Sequence, residues 1–251
     1  MKNSRLIFIF VAISTVLLIN YSTAIKQWFQ LCRLKSLKCP EIREECQNLF
    51  WLHRVNSTDK FEQLKSSFNG FETDVTYVDS LRAFYVFHPN SDDVPLELSW
   101  ADFLNTVEHE NKMWYIDLRG ITGQNVAEGI EIFEATIENI ILFKRQALLE
   151  LYDYNAALAF QAAGYNVSLN YEILQSLISS DDNLADSILH KIESITQICG
   201  DGSLLEEMKK NFPGKKYLIW ELSYKNYLDT ERLRSRMNDK DVLLILVSVS
   251  S

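Results

Sequence analysis

The 251-residue sequence has no Lys/Arg-rich block and no regular interleaving of basic with aromatic residues, and its formal net charge is -9. That balance argues against a nucleic-acid partner, although a local cationic pocket stays open. Its 4 cysteines include no C-x-x-C pair with matching His spacing, which disfavours zinc. No G-x-G-x-x-G or Walker-type loop follows the first strand-like run, which argues against a nucleotide fold. Internal repeats and low-complexity segments are absent. The N-terminal apolar run from Leu6 to Ile19 holds roughly 14 residues before polar Asn20 and Tyr21, short of the ~20 that span a bilayer comfortably.

Lys2 and Arg5 precede that run and Ser22-Thr23-Ala24 follow it, the form of a cleavable export signal. Retention as a membrane anchor over residues 1–24 is the alternative. Either way the remainder is expected outside the cytoplasm, secreted, periplasmic or anchored, with membrane association through the N-terminal segment. Residues 25–47 read as a Cys- and Lys-containing connector and 48–251 as the folded domain. Cys32, Cys39, Cys46 and Cys199 are an even number in an exported chain, so disulfides are allowed, with three pairings open.

What is present is an ordinary globular composition, 47% hydrophobic and 24% charged. Apolar runs rich in Val, Ile, Tyr, Phe and Trp predict strands at 49–53, 70–77, 113–118, 146–152, 165–170, 194–199, 216–222 and 241–249, with a further run at 83–87 forming a hairpin with the second. Helical patterns lie between them: Thr58 to Phe68, Ser99 to Glu108, Asn125 to Ile140, Ala156 to Ala163, Tyr171 to Ser179, Leu184 to Lys191, Ser203 to Asn211 and Thr230 to Met237. Ser57 or Thr58 offers a cap for the first helix, and Ser203 a capping box before Leu204-Leu205-Glu206. Eight strands alternating with helices specify a parallel sheet with right-handed crossovers. A (β/α)8 barrel is its simplest closure, the final helix missing or replaced by the connector, and an open doubly wound sheet is the alternative.

Polar residues end several of these runs. Glu72 and Asp74 are two apart in a strand, so their side chains share a face, and Asp117 ends the next main strand beside them. Three carboxylates suit a hard cation such as Mg2+ or Ca2+. His53 follows Leu49-Phe50-Trp51-Leu52 and His88 follows Phe84-Tyr85-Val86-Phe87. One such histidine is usually structural, but two flanking the carboxylates can serve as general base and general acid. Arg54 and Arg119 can bind phosphate oxygens through their planar forks, or pair with a neighbouring carboxylate. Together these groups are equipment for metal-assisted cleavage of a phosphodiester. Trp220, Glu221, Asn170 and Cys199 also end strands and could line the pocket. His109 and His190 read as surface residues, and the sequons at Asn56 and Asn166 as chance matches.

The segments His-x-Val-Asn-Ser at 53–57, Glu-x-Asp-Val at 72–75, His88-Pro89, Ser99 to Leu104 and Ile116 to Arg119 resemble, in order and spacing, the glycerophosphodiester phosphodiesterase and phospholipase-C-like barrel superfamily. The likeness is greater to its menorin-like branch and covers about residues 49–120. It implies a TIM barrel with His53 and His88 as the acid/base pair. Glu72, Asp74 and Asp117 would hold the divalent metal, Arg54 would contact phosphate, and Arg119 stands where lysine is usual. The phosphodiesterases follow the first His-Arg with Gly and the second His with Asp; Val55 and Pro89 here match the menorin-like pattern. The expectation is an exported phosphodiesterase acting on a glycerophosphodiester or phospholipid-type headgroup. Its alternative is a non-catalytic barrel binding an anionic or carbohydrate ligand at the cell surface.

Overall fold

The structure is a computed structural model that describes residues 25, 26, 28–32, 49–89, 97–107, 110–180, 192–222 and 229–248. The signal or anchor read at 1–24, most of the connector, Cys39, Cys46, His109, His190 and the helix read at 184–191 lie outside these residues.

Nine strands form the sheet: β1 Phe50–Leu52, β2 Gly70–Val78, β3 Ala83–Val86, β4 Met113–Arg119, β5 Ala147–Leu151, β6 Asn166–Asn170, β7 Gln197–Asp201, β8 Lys216–Glu221 and β9 Val242–Val247. All but β3 are parallel and follow one another around a closed ring. Closure comes at β1, which pairs with β9 from Phe50↔Ile245 to Leu52↔Val247 and with β2 at Leu52↔Phe71. β3 folds back antiparallel on β2, as the hairpin reading expected.

The helices are α1 Thr58–Leu64, α2 Trp100–Val107, α3 Val126–Ala135, α4 Ile140–Gln146, α5 Tyr154–Ala162, α6 Tyr171–Ser180, α7 Leu205–Asn211 and α8 Thr230–Asn238. Strand alternation divides their apolar residues between two cores. Outward residues such as Phe71, Trp114, Ile116 and Leu149 pack with Phe61, Trp100, Phe103 and Phe133 of the helices. Each such fully buried side chain contributes on the order of 2–3 kcal/mol. Inward residues Trp51, Tyr115, Leu148, Cys199, Leu218, Leu244 and Leu246 fill the barrel itself.

Three local expectations need correction. The helix read over Asn125 to Ile140 is two helices, because α3 ends at Ala135 and Asn139 starts α4 by accepting from Leu142 N–H. Ser203 does not cap α7. Gly202–Leu204 instead make a 3-10 turn capped by Asp201, whose carboxylate accepts from Ser203 N–H. The run read at 194–199 becomes strand only at Gln197, since Ile192–Ser194 coil into another 3-10 turn.

Candidate functional site

The C-terminal ends of parallel strands converge at one mouth, and a cavity of about 120 Å³ opens there. It is lined by His53, Arg54, Glu72, Asp74, His88, Tyr115, Asp117, Arg119 and Glu150, together with Trp220, Leu222 and Leu246. Every residue singled out for catalysis, metal or phosphate therefore lines one cavity. β2 supplies Glu72 and Asp74, and its register with β4 sets Asp74 opposite Asp117 and Asp117 opposite Glu150 of β5.

Glu72, Asp74 and Asp117 are buried, with 2%, 1% and 7% of their surface exposed, and an oxygen from each lies within 4.8 Å of the others. Each carboxylate has one oxygen tied by a donor. Arg54 N–H donates to Glu72 Oε2 at 2.5 Å, Asn56 Nδ2 to Asp74 Oδ2 at 2.7 Å, and Arg119 Nη2 to Asp117 Oδ2 at 2.7 Å. Asp117 Oδ1 is buried without a hydrogen-bond partner. Burial pushes the Glu72 carboxyl well above its ordinary range, reinforced by the charges of Asp74 and Asp117. Burial likewise raises Asp117, with Glu150 adding to it. Such a set gains from a cation, and an all-oxygen donor group fits Mg2+ or Ca2+.

The two imidazoles line the same cavity. Burial lowers His53 to about 3, helped by the positive charges of Arg54 and Lys60. Its Nδ1 is 3.0 Å from Ser248 Oγ and its Nε2 is 3.7 Å from Glu72 Oε2. Burial also lowers His88, but the Asp74 carboxylate works in the opposite direction. Burial favours the neutral form of each ring, and at His88 the Asp74 carboxylate offsets part of that effect.

The loop after β1 carries the unusual backbone. Arg54 has φ 56, a left-handed conformation costly for a residue with a side chain. Lys60 of α1 holds it there by donating to the carbonyls of His53 at 3.1 Å and Arg54 at 2.9 Å. Gly120, just past Arg119, has φ +76, and a Cβ there would stand 2.4 Å from Tyr77 O. The Arg119 guanidinium pairs with Asp117, donates to Tyr152 Oη at 2.7 Å and lies over the Tyr152 ring.

Several cavity residues escaped sequence reading. Glu150, 1% exposed, accepts from Tyr115 Oη at 2.7 Å and Asn170 Nδ2 at 2.9 Å. Its signal was an acidic residue inside the apolar run Ala147 to Leu151. Of the strand-end residues named earlier, Trp220 lines the cavity and Asn170 supports Glu150. Glu221 points outward instead and accepts from Arg232 Nε at 2.9 Å. Cys199 is buried inside the barrel, where burial pushes its thiol well up. Among the described residues no helix is long and apolar enough to cross a membrane.

No protein-family model matches the chain, and no curated protein sequence matches it. Solved structures do. A glycerophosphodiester phosphodiesterase from Parabacteroides distasonis superposes with TM-score 0.55 at 11% identity, covering 80% of this chain and 92% of that one. A phosphodiesterase from Oleispira antarctica, in complex with the product sn-glycerol-3-phosphate, gives TM-score 0.52 at 12% identity, with 80% and 92% covered. The fold is thus a TIM barrel, similar to that of these phosphodiesterases.

Proposed function

We propose that a barrel of this fold, with three carboxylates, two imidazoles and two guanidiniums gathered at its mouth, is a divalent-metal-dependent phosphoric diester hydrolase. The observation that carries the reading is the convergence of His53, His88, Glu72, Asp74 and Asp117 on one cavity. Glu72, Asp74 and Asp117 would hold Mg2+ or Ca2+, which supplies Lewis-acid polarisation of the phosphoryl group. The unpartnered, buried Asp117 Oδ1 supports that fit.

His53, kept neutral by burial, takes the proton of the attacking water or substrate hydroxyl as its oxygen bonds to phosphorus. His88, whose protonated form Asp74 favours, gives its proton to the leaving oxygen as the second P–O bond breaks. A phosphomonoester, or a cyclic phosphate when a substrate hydroxyl attacks, and an alcohol result. Arg54 contacts a non-bridging phosphate oxygen, and Arg119 steadies Asp117 while facing the same space.

The substrate is a glycerophosphodiester or phospholipid-type headgroup, a class supported by the sn-glycerol-3-phosphate seen in the Oleispira enzyme. The menorin-like likeness rests on the sequence motifs alone. Export belongs to the same proposal, with residues 1–24 as signal or anchor, 25–47 as connector and 48–251 as the barrel. The test is a panel of glycerophosphodiesters and lysophospholipids assayed with several divalent metals. Product release that chelation abolishes supports the reading, and no turnover with any metal overturns it.

A further inference from the structure

We propose that Asn56 is a positioning residue that presents Asp74 to the divalent cation, an assignment resting on the metal reading above. Its carboxamide bridges the loop after β1 to β2 by three hydrogen bonds. Nδ2 donates to Asp74 Oδ2 at 2.7 Å, while Oδ1 accepts from Asp74 N–H at 3.0 Å and from Thr73 Oγ1 at 3.2 Å. The direction of the amide is dictated by chemistry. A backbone N–H can only donate, so Oδ1 must face Asp74 N and Nδ2 must face the carboxylate.

One side chain therefore grips both the backbone and the carboxylate of the same residue, which fixes the carboxylate's rotation. Asp74 Oδ2 accepts the Asn56 amide N–H, and the carboxylate so oriented keeps lone pairs for a cation. The loop serves Glu72 in the same way, through Arg54 N–H on Oε2. Asn56 differs from Arg119, which ties Asp117, in being neutral: it orients a carboxylate without bringing a positive charge that would compete with the ion. Side chains that orient metal ligands typically change metal affinity about 10–100-fold when removed.

The test compares Asn56→Ala with Ser57→Ala. Ser57 caps α1 from the same loop, accepting from Lys60 N–H, and touches no carboxylate. Calorimetric titration with Mn2+ and Ca2+ should show affinity reduced about 10–100-fold in Asn56→Ala and unchanged in Ser57→Ala. The paramagnetic resonance spectrum of bound Mn2+, which reports ligand symmetry, should broaden only in the former. Asn56→Ser serves if the alanine variant does not fold, since its hydroxyl can accept near Asp74 N–H but cannot span to the carboxylate. Metal binding by wild type with equal binding and an unchanged spectrum in the Asn56 variant overturns this assignment alone. Failure of wild type to bind either ion overturns the metal reading and this assignment with it.

Discussion

At the cavity, β1, β2, β4, β5 and the loop after β3 contribute two imidazoles, four carboxylates and two guanidiniums, whereas β8, β9 and Leu222 contribute one indole and aliphatic surface. The charged half is also the hydrogen-bonded half, with donors from Arg54, Asn56, Tyr115, Asn170 and Arg119 holding its carboxylates. The apolar half is held by packing, and the carboxylate that ends β8, Glu221, is turned away from the cavity. The proposed catalytic groups are concentrated where the backbone can fix them, and the apolar wall is left to shape what binds. A glutamate at a strand end thus has two fates, decided by which way the alternation points it.

Four experiments press on that contrast. The largest effect belongs to the charged half: His53→Ala and His88→Ala should each lower kcat by about 10²- to 10⁴-fold with the fold intact. A loss below tenfold in both would dissolve the division of labour. On the other side, Glu221→Gln leaves Arg232 and Arg236 facing a neutral partner. Stability should fall by on the order of 2–3 kcal/mol, discounted because Arg232 stays partly hydrated, while calorimetric metal affinity is unchanged. Trp220→Ala should raise KM about tenfold and leave kcat within about twofold, the signature of a wall that binds without reacting.

The smallest effect is in pH. As the proposed base His53 must be neutral to act, and a lowered pKa extends its neutral form into acid. At pH 5.5 an ordinary imidazole base would have lost about tenfold in activity. With saturating metal, kcat/KM there should stay within about twofold of its neutral value, and an acid limb at pH 6.5 would count against His53 as the base.

The same contrast explains what could be read from the chain. His53, His88 and the Glu72/Asp74 pair are legible because each interrupts an apolar run at a strand end or on one face, a pattern that burial alone would not select. Glu150 was not legible as part of the site, since an acid within Ala147 to Leu151 could face either way until the register with Asp117 is known. Trp220 and Glu221 are adjacent, so one must face in and the other out, and only the packing of α8 against β8 decides which. The division of the 125–140 helix depended on Asn139 acting as a cap, a role that Asn fills only when the preceding turn has already ended.

Titration of the purified, chelator-treated protein with Mg2+ and Ca2+, beside Glu72→Gln, bears most directly on the three carboxylates acting as one site. One equivalent of ion should bind to wild type and raise its thermal midpoint, with binding weakened by at least about tenfold in the variant. Wild type that takes up neither ion, or a variant that binds as tightly, would contradict the account.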